Sequence, residues 1–174
     1  MMSFKKIVFF IIISICLINK SQADMPYYLD FKYILNNSIA GKKAQDNLQK
    51  KLKDGIKSLN SKEKSLQEEE KKIISQKKII SAEEYKKKVT ELRDKVGKLQ
   101  KDRNKLLKDI STQRSKARNE LLRNLNPIIK DYMIEKKIRY VMDKKSLILA
   151  DEKLDITKDI IQILNSKLKE IKLN

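Results

Sequence analysis

From Gly41 to about Leu125 the chain has no proline, and apolar residues return at every seventh position: Leu52, Leu59, Leu66, Ile73 and Ile80. A second series, Val89, Leu92, Val96, Leu99, Leu106, Ile110, Ala117 and Leu121, alternates steps of three and four with gaps. Spacing of this kind keeps one stripe of a helix turned toward a partner helix, so the pattern predicts coiled-coil helices. One unbroken rod is excluded by Ser81-Ala82-Glu83-Glu84. The Ser81 hydroxyl can accept the Glu84 N–H while Glu84 reaches back, a capping box that opens a new helix. A turn is therefore expected near residues 77–81, joining two arms of about 40 residues, each roughly 60 Å long, as an antiparallel hairpin.

The expected seam is thin. In the first arm the companion heptad position is Gly55, then Lys62, then Glu69, so half of each layer is polar. Two helices joined this way are held weakly and are expected to bend and splay. Gly55 and Gly97 inside helices each cost about 1 kcal/mol relative to alanine, and both are hinge candidates.

The flanks, residues 24–40 and 126–174, read as a small body. Tyr27, Leu29 and Phe31 alternate with Tyr28, Asp30 and Lys32, the period-two signal of a strand. Ile138 to Met142 and Ser146 to Ala150 are two further candidate strands around Asp143-Lys144-Lys145. Pro127 suits the first turn of a short helix to about Lys136, with Asn126 as its cap. Asp155 is expected to cap a last helix lined by Ile156, Ile160, Ile163, Leu164 and Leu168. The fold class is thus α+β: a long helical hairpin rising from a small β-containing body. So small a body is marginal alone, and pairing its strand edges with identical copies predicts a homo-oligomer. The residues expected to build it are Tyr27, Leu29, Phe31, Tyr140, Met142, Leu147 and Leu149.

The first 23 residues read as an address. Lys5 and Lys6 precede an apolar run from Ile7 to Ile18, and Ser21-Gln22-Ala23 places small residues where a signal peptidase reads. The run is short of the roughly 20 apolar residues that a membrane anchor needs. Bulky Ile15 before Cys16 disfavours a lipoprotein signal. Cleavage after Ala23 and export to the periplasm are expected, leaving 151 residues without cysteine.

Of the 174 residues, 37% are charged and 6% aromatic, with three Gly and two Pro, too few turn residues for a sandwich or barrel. No histidine is present and the one cysteine lies in the leader, which removes the usual zinc, haem and Cys–His chemistries. Gly41-Lys42-Lys43 lacks the earlier glycine and the following hydroxyl of a phosphate-binding loop. No enzyme activity, cofactor or metal is expected.

Charge does discriminate. The net charge is +18, and residues 41–125 hold 26 basic against 13 acidic groups. Around the expected turn, Lys71, Lys72, Lys77, Lys78, Lys86, Lys87 and Lys88 crowd about Ile79 and Ile80, both expected to be exposed. Such arms favour acidic client chains or anionic lipid headgroups through long-range, salt-sensitive attraction. Export argues against nucleic acid.

Several stretches resemble a known family. They are Tyr28-Leu29-Asp30 through Tyr33-Ile34-Leu35-Asn36 into Ala40-Gly41-Lys42-Lys43-Ala44-Gln45, the turn Ile80-Ser81-Ala82-Glu83-Glu84-Tyr85, and Tyr140-Val141-Met142-Asp143 to Leu154-Asp155-Ile156-Thr157. In series they are similar to the Skp/OmpH-like periplasmic chaperones over essentially the whole exported chain. The resemblance implies a homotrimer with a shared β body and three hairpins enclosing a cavity. Unfolded outer-membrane β-barrel proteins would be held there without ATP and kept from aggregating. The resemblance would put the client surface on the arms, but no compact motif carries single residues over; from this chain's own charge and apolar pattern the candidates are the tip lysines, Ile79, Ile80, Val89, Val96 and Leu99. The competing reading is a structural or adaptor coiled-coil protein of the envelope.

Overall fold

The structure, a computed structural model, describes residues 25–173. The expected leader, its cleavage site after Ala23 and Cys16 lie outside these residues. In chain order the elements are β1 (Tyr27–Leu29), α1 (Phe31–Asn37), α2 (Ile39–Gln76), α3 (Ala82–Glu135), β2 (Val141–Asp143) and α4 (Thr157–Lys167). Single 3₁₀ turns occupy Lys144–Ser146 and Glu152–Leu154. At 1.5 Å per residue α2 is about 57 Å long and α3 about 81 Å, so the two arms are unequal.

The chain reverses over residues 77–81, where Ser81 Oγ accepts the Glu84 N–H at 3.1 Å. Glu84 uses its carboxylate instead on Lys88, 3.5 Å away. At the other end, two more caps set the entry to the hairpin. The Asp30 carboxylate accepts the Tyr33 N–H at 2.7 Å and Ser38 Oγ accepts the Gly41 N–H at 3.1 Å, starting α1 and α2 in turn. Gly41 is required by contact. A Cβ there would lie 2.1 Å from the Leu35 carbonyl oxygen, so only glycine lets α1 close onto the first turn of α2.

Five expectations for the flanks are corrected. The strand read over Tyr27 to Phe31 stops at Leu29, because Asp30 caps a helix in which Phe31 is the first residue. Its alternation also fails, since Tyr28 and Leu29 are both buried. β1 lies between β2, which pairs with it in parallel (Tyr27 with Val141, Leu29 with Asp143), and the Ile156 N–H, which donates to the Tyr28 carbonyl at 2.9 Å. A strand flanked on both edges and covered on both faces loses its period of two.

Pro127 does not open a new helix: α3 runs through it to Glu135. The ring costs one backbone hydrogen bond, but Leu121, Leu125, Ile128 and Tyr132 are buried on the same face, and that packing carries the helix across. The strand expected at Ile138 to Met142 forms only over Val141–Asp143. Ser146 to Ala150 is not a strand in the single chain. Its first residue ends a 3₁₀ turn, and Ile148 and Leu149 project fully into solvent with no strand among the described residues to pair against. Finally, α4 begins at Thr157, two residues past Asp155. The Asp155 carboxylate still accepts the Thr157 N–H at 2.9 Å, and the Thr157 hydroxyl as well. Burial pushes the Asp155 carboxyl up, yet the bonds from Thr157 and Lys144 outweigh it and hold the group below its usual value.

The core sits at the base of the hairpin. Ile34, Leu121, Leu125, Ile160 and Leu164 are essentially inaccessible there, joined by Leu29, Ala40, Ala44, Ile128 and Ile156. Burying each large side chain contributes about 1.5–3 kcal/mol, so the helices are anchored at one end. Tyr132 completes the join, its hydroxyl donating to Asp159 of α4 at 2.5 Å. Burial first, then that bond and the Asp159 charge, push the Tyr132 phenol up to about 12. A raised phenol favours the neutral form in the folded chain. Its contribution is therefore complete below the ordinary value near 10 and is lost as pH climbs toward 12. Denaturant titrations should show wild type losing stability over that interval more steeply than Tyr132→Phe; identical alkaline slopes would contradict the assignment.

Candidate functional site

Along the arms the apolar stripe is discontinuous. Leu59 and Ile73 of α2 are buried, Leu52 and Leu66 half-buried, while on α3 Val89, Leu92, Leu99 and Leu106 are half-buried and Val96 is 50% exposed. The companion positions face each other as polar pairs. Gln76 Oε1 accepts from Lys88 Nζ at 2.9 Å, Glu69 pairs with Lys95 at 2.5 Å and Lys62 with Asp102 at 2.9 Å. Each step of seven toward the base on α2 is matched by a step of seven on α3, the register of an antiparallel coiled coil. Glu63 and Arg103 add a pair at 3.3 Å. The hydrogen bond from Lys62 holds the Asp102 carboxyl below its ordinary value, aided by Lys98 and Lys105. Exposed pairs of this sort add little net stability and weaken with salt. This ladder was missed in the sequence, although the heptads Lys62–Glu69 and Lys95–Asp102 carried it.

Gly55 continues the same row. A Cβ there would lie 2.6 Å from a Leu106 methyl, so its bare backbone receives the Leu106 side chain. Around Gly97 nothing lies within 4 Å. The helix continues through both residues.

The tip gathers Lys71 and Lys72 of α2, Lys77 and Lys78 of the turn, and Lys86, Lys87 and Lys88 of α3. All are exposed except Lys88, which is half-buried as it bridges Gln76 and Glu84 across the corner. Lys77 Nζ lies 5.8 Å from the centre of the Tyr85 ring. Ile79 is 81% exposed; Ile80, read as equally open, is half-buried. Ile74, which was not singled out, is exposed beside them. Between 71 and 88 the only carboxylates are Glu83 and Glu84. A cationic tip with protruding isoleucines can engage anionic, apolar-bearing partners, and its charge falls off within about 10 Å at ordinary salt.

Residues expected in the body divide. Leu29 is buried in the chain's own core, with Tyr27 and Phe31 packed against it. Met142 and Leu147 are half-buried, and Tyr140 and Leu149 face outward. Among the described residues, no group of histidine, cysteine, aspartate or glutamate could hold a metal, and no helix is long and apolar enough to cross a membrane.

Comparison with known proteins places this geometry. A crystal structure from Caulobacter crescentus CB15, assigned as an OmpH-like outer membrane chaperone, superposes with a TM-score of 0.80. It shares 19% identity, covering 85% of this chain and 89% of that one, which establishes the common fold. No curated protein matches significantly. Residues 27–164 match the family described as outer membrane protein (OmpH-like), a span from β1 through the arms into α4. The chain belongs to the OmpH-like family.

Proposed function

We propose that this protein is an ATP-independent periplasmic holdase that captures unfolded outer-membrane proteins between basic helical arms and prevents their aggregation. The observation that carries the reading is the family match along nearly the whole described chain, on a hairpin whose excess positive charge lies on the arms. Charge draws an unfolded, acidic chain in; Ile74, Ile79 and Val96, together with the half-buried Val89 and Leu99, hold it by many weak apolar contacts. Weak contacts release without fuel. The same cationic tip offers a secondary foothold for anionic lipid headgroups.

A urea-unfolded outer-membrane β-barrel protein diluted into the purified chaperone should scatter less light than when diluted alone. Capture should slow about tenfold or more from low to 0.5 M salt, as steered association does. Neutralising Lys71, Lys72, Lys77, Lys78, Lys86 and Lys87 to Gln should slow it comparably at low salt. Undiminished scattering sinks the holdase reading; suppression with a salt-independent rate sinks its electrostatic half. An adaptor would instead bind a folded partner at fixed stoichiometry.

The arms of identical copies would enclose the client, in a homotrimer by analogy with the resemblance. Supporting self-association, Ile148, Leu149 and Tyr140 are all exposed, and among the described residues β2 has a strand on one edge only. Sedimentation should show a trimer that Ile148→Lys with Leu149→Lys converts to monomer; an unchanged mass for the variant, or a monomeric wild type, contradicts this.

Gly55 and Gly97 would lend the arms their compliance. Gly97→Ala, with open space for its methyl, should stabilise the protein by about 0.5–1 kcal/mol, whereas Gly55→Ala should be near neutral because Leu106 must shift. The double variant should suppress aggregation of a narrower range of client sizes; an unchanged range removes the hinge role.

A further inference from the structure

Between the bases of α2 and α3, beside α1, lies a half-open cavity of about 550 Å³. Its walls include Leu35, Leu48, Leu52, Ile110 and Leu121, and Ile171 of the C-terminal tail closes one side. Two structural details hold it in shape. The close approach permitted by Gly41 seats α1 against α2, and the Gln45 side-chain amide donates to Asn36 at 2.7 Å across the rim. The volume and the apolar lining are those of a small-molecule site between helices.

Its charged groups are of one sign. Arg114 and Arg118, one turn apart on α3, line the cavity, and no carboxylate does. Elsewhere on α3, Arg103 pairs with Glu63 at 3.3 Å and Arg123 with Glu120 at 3.2 Å, while Arg93, far from the cavity lining, makes no ion pair among the described residues. Arg114 and Arg118 have no ion-pair partner among the described residues. Two like charges at i and i+4 repel one another, and guanidinium forks are shaped to receive carboxylate or phosphate oxygens. An unmet cationic pair at the mouth of an apolar hollow thus defines both ends of a ligand.

We propose that this cavity binds a single-chain anionic amphiphile, its hydrocarbon lying between the arm bases and its carboxylate or phosphate monoester on Arg114 and Arg118. A wholly apolar ligand would leave the guanidinium pair unanswered, and a wholly polar one would lose its hydration against leucine and isoleucine walls. The site is separate from the cationic tip and does not depend on the chaperone reading.

Calorimetry with three probes below their micelle concentrations tests it: dodecyl phosphate, dodecyl maltoside (same chain, neutral head) and butyl phosphate (same head, short chain). Dodecyl phosphate should bind once per chain, about tenfold or more tighter than either control. Arg114→Gln with Arg118→Gln, both at exposed positions, should abolish the preference for the anionic head while retaining the weaker dodecyl maltoside binding. Equal affinities for the charged and neutral heads, or several equivalents per chain that the double variant leaves untouched, overturn the proposal. So does an acidic, leucine-bearing peptide that binds more tightly than dodecyl phosphate and displaces it, which would make this a polypeptide site. The double variant should still suppress aggregation, so a failure here is distinguishable from a failure of the holdase reading.

Discussion

Everything in this molecule depends on one apolar clamp at the foot of the hairpin. Leu121, Leu125 and Ile128 of α3 meet Ala40 and Ala44 of α2, Ile34 of α1 and Ile160 and Leu164 of α4, and almost all fully buried side chains lie in that junction. Hydrogen bonds between distant parts of the chain tighten it: the Asp30 N–H to Thr157 Oγ1 at 2.8 Å, the Ile39 N–H to Asn165 at 2.8 Å and Tyr132 to Asp159. The Asp30–Thr157 and Tyr132–Asp159 bonds are partly buried and the Ile39–Asn165 bond is exposed; each ties another element to α4, which couples the clamp into a unit.

Away from the clamp the physics changes character. The arms have one intermittent apolar row and one row of ion pairs, so the packing that ordinarily stabilises long helices is sparse between the rods. This division of labour suits a grasping device. A fully apolar seam would seal the leucines away, and a fully polar one would let the rods drift apart. Lys62–Asp102 and Glu69–Lys95 hold the register at little energetic depth, so in the proposed mechanism the arms would separate at low cost and return to one alignment. The tip, farthest from the clamp, combines that looseness with charge.

Legibility followed periodicity. Heptads repeated over many turns and a serine cap at one corner are strong local signals, and the hairpin was readable from them. Tip lysines were legible as exposed because nothing in a charge-rich helix end competes for them; Lys88 escaped because its partner Gln76 lies on the other side of the corner, and Ile80 is half-buried within the turn itself. The flanks misled where tertiary packing overrode local cues. Tyr27 to Phe31 alternates like a strand, but the Asp30 cap turns its end into helix. Pro127 looks like a helix start until Leu125 and Ile128 are seen buried on one face. Ser146 to Ala150 has strand-forming residues and no strand partner among the described residues. The basal cavity joins residues from positions 35 to 171, and no window of sequence contains it.

Residue-resolved hydrogen exchange measures directly whether stability is concentrated at the foot. The account predicts slow exchange, approaching global unfolding, for amides around 117–132 and 156–164, with protection falling progressively through α2 and α3 toward the turn at 77–81. Uniform protection from foot to turn would mean that the rods are bound along their whole length, and the central claim of a clamped, loosely laddered hairpin would be wrong.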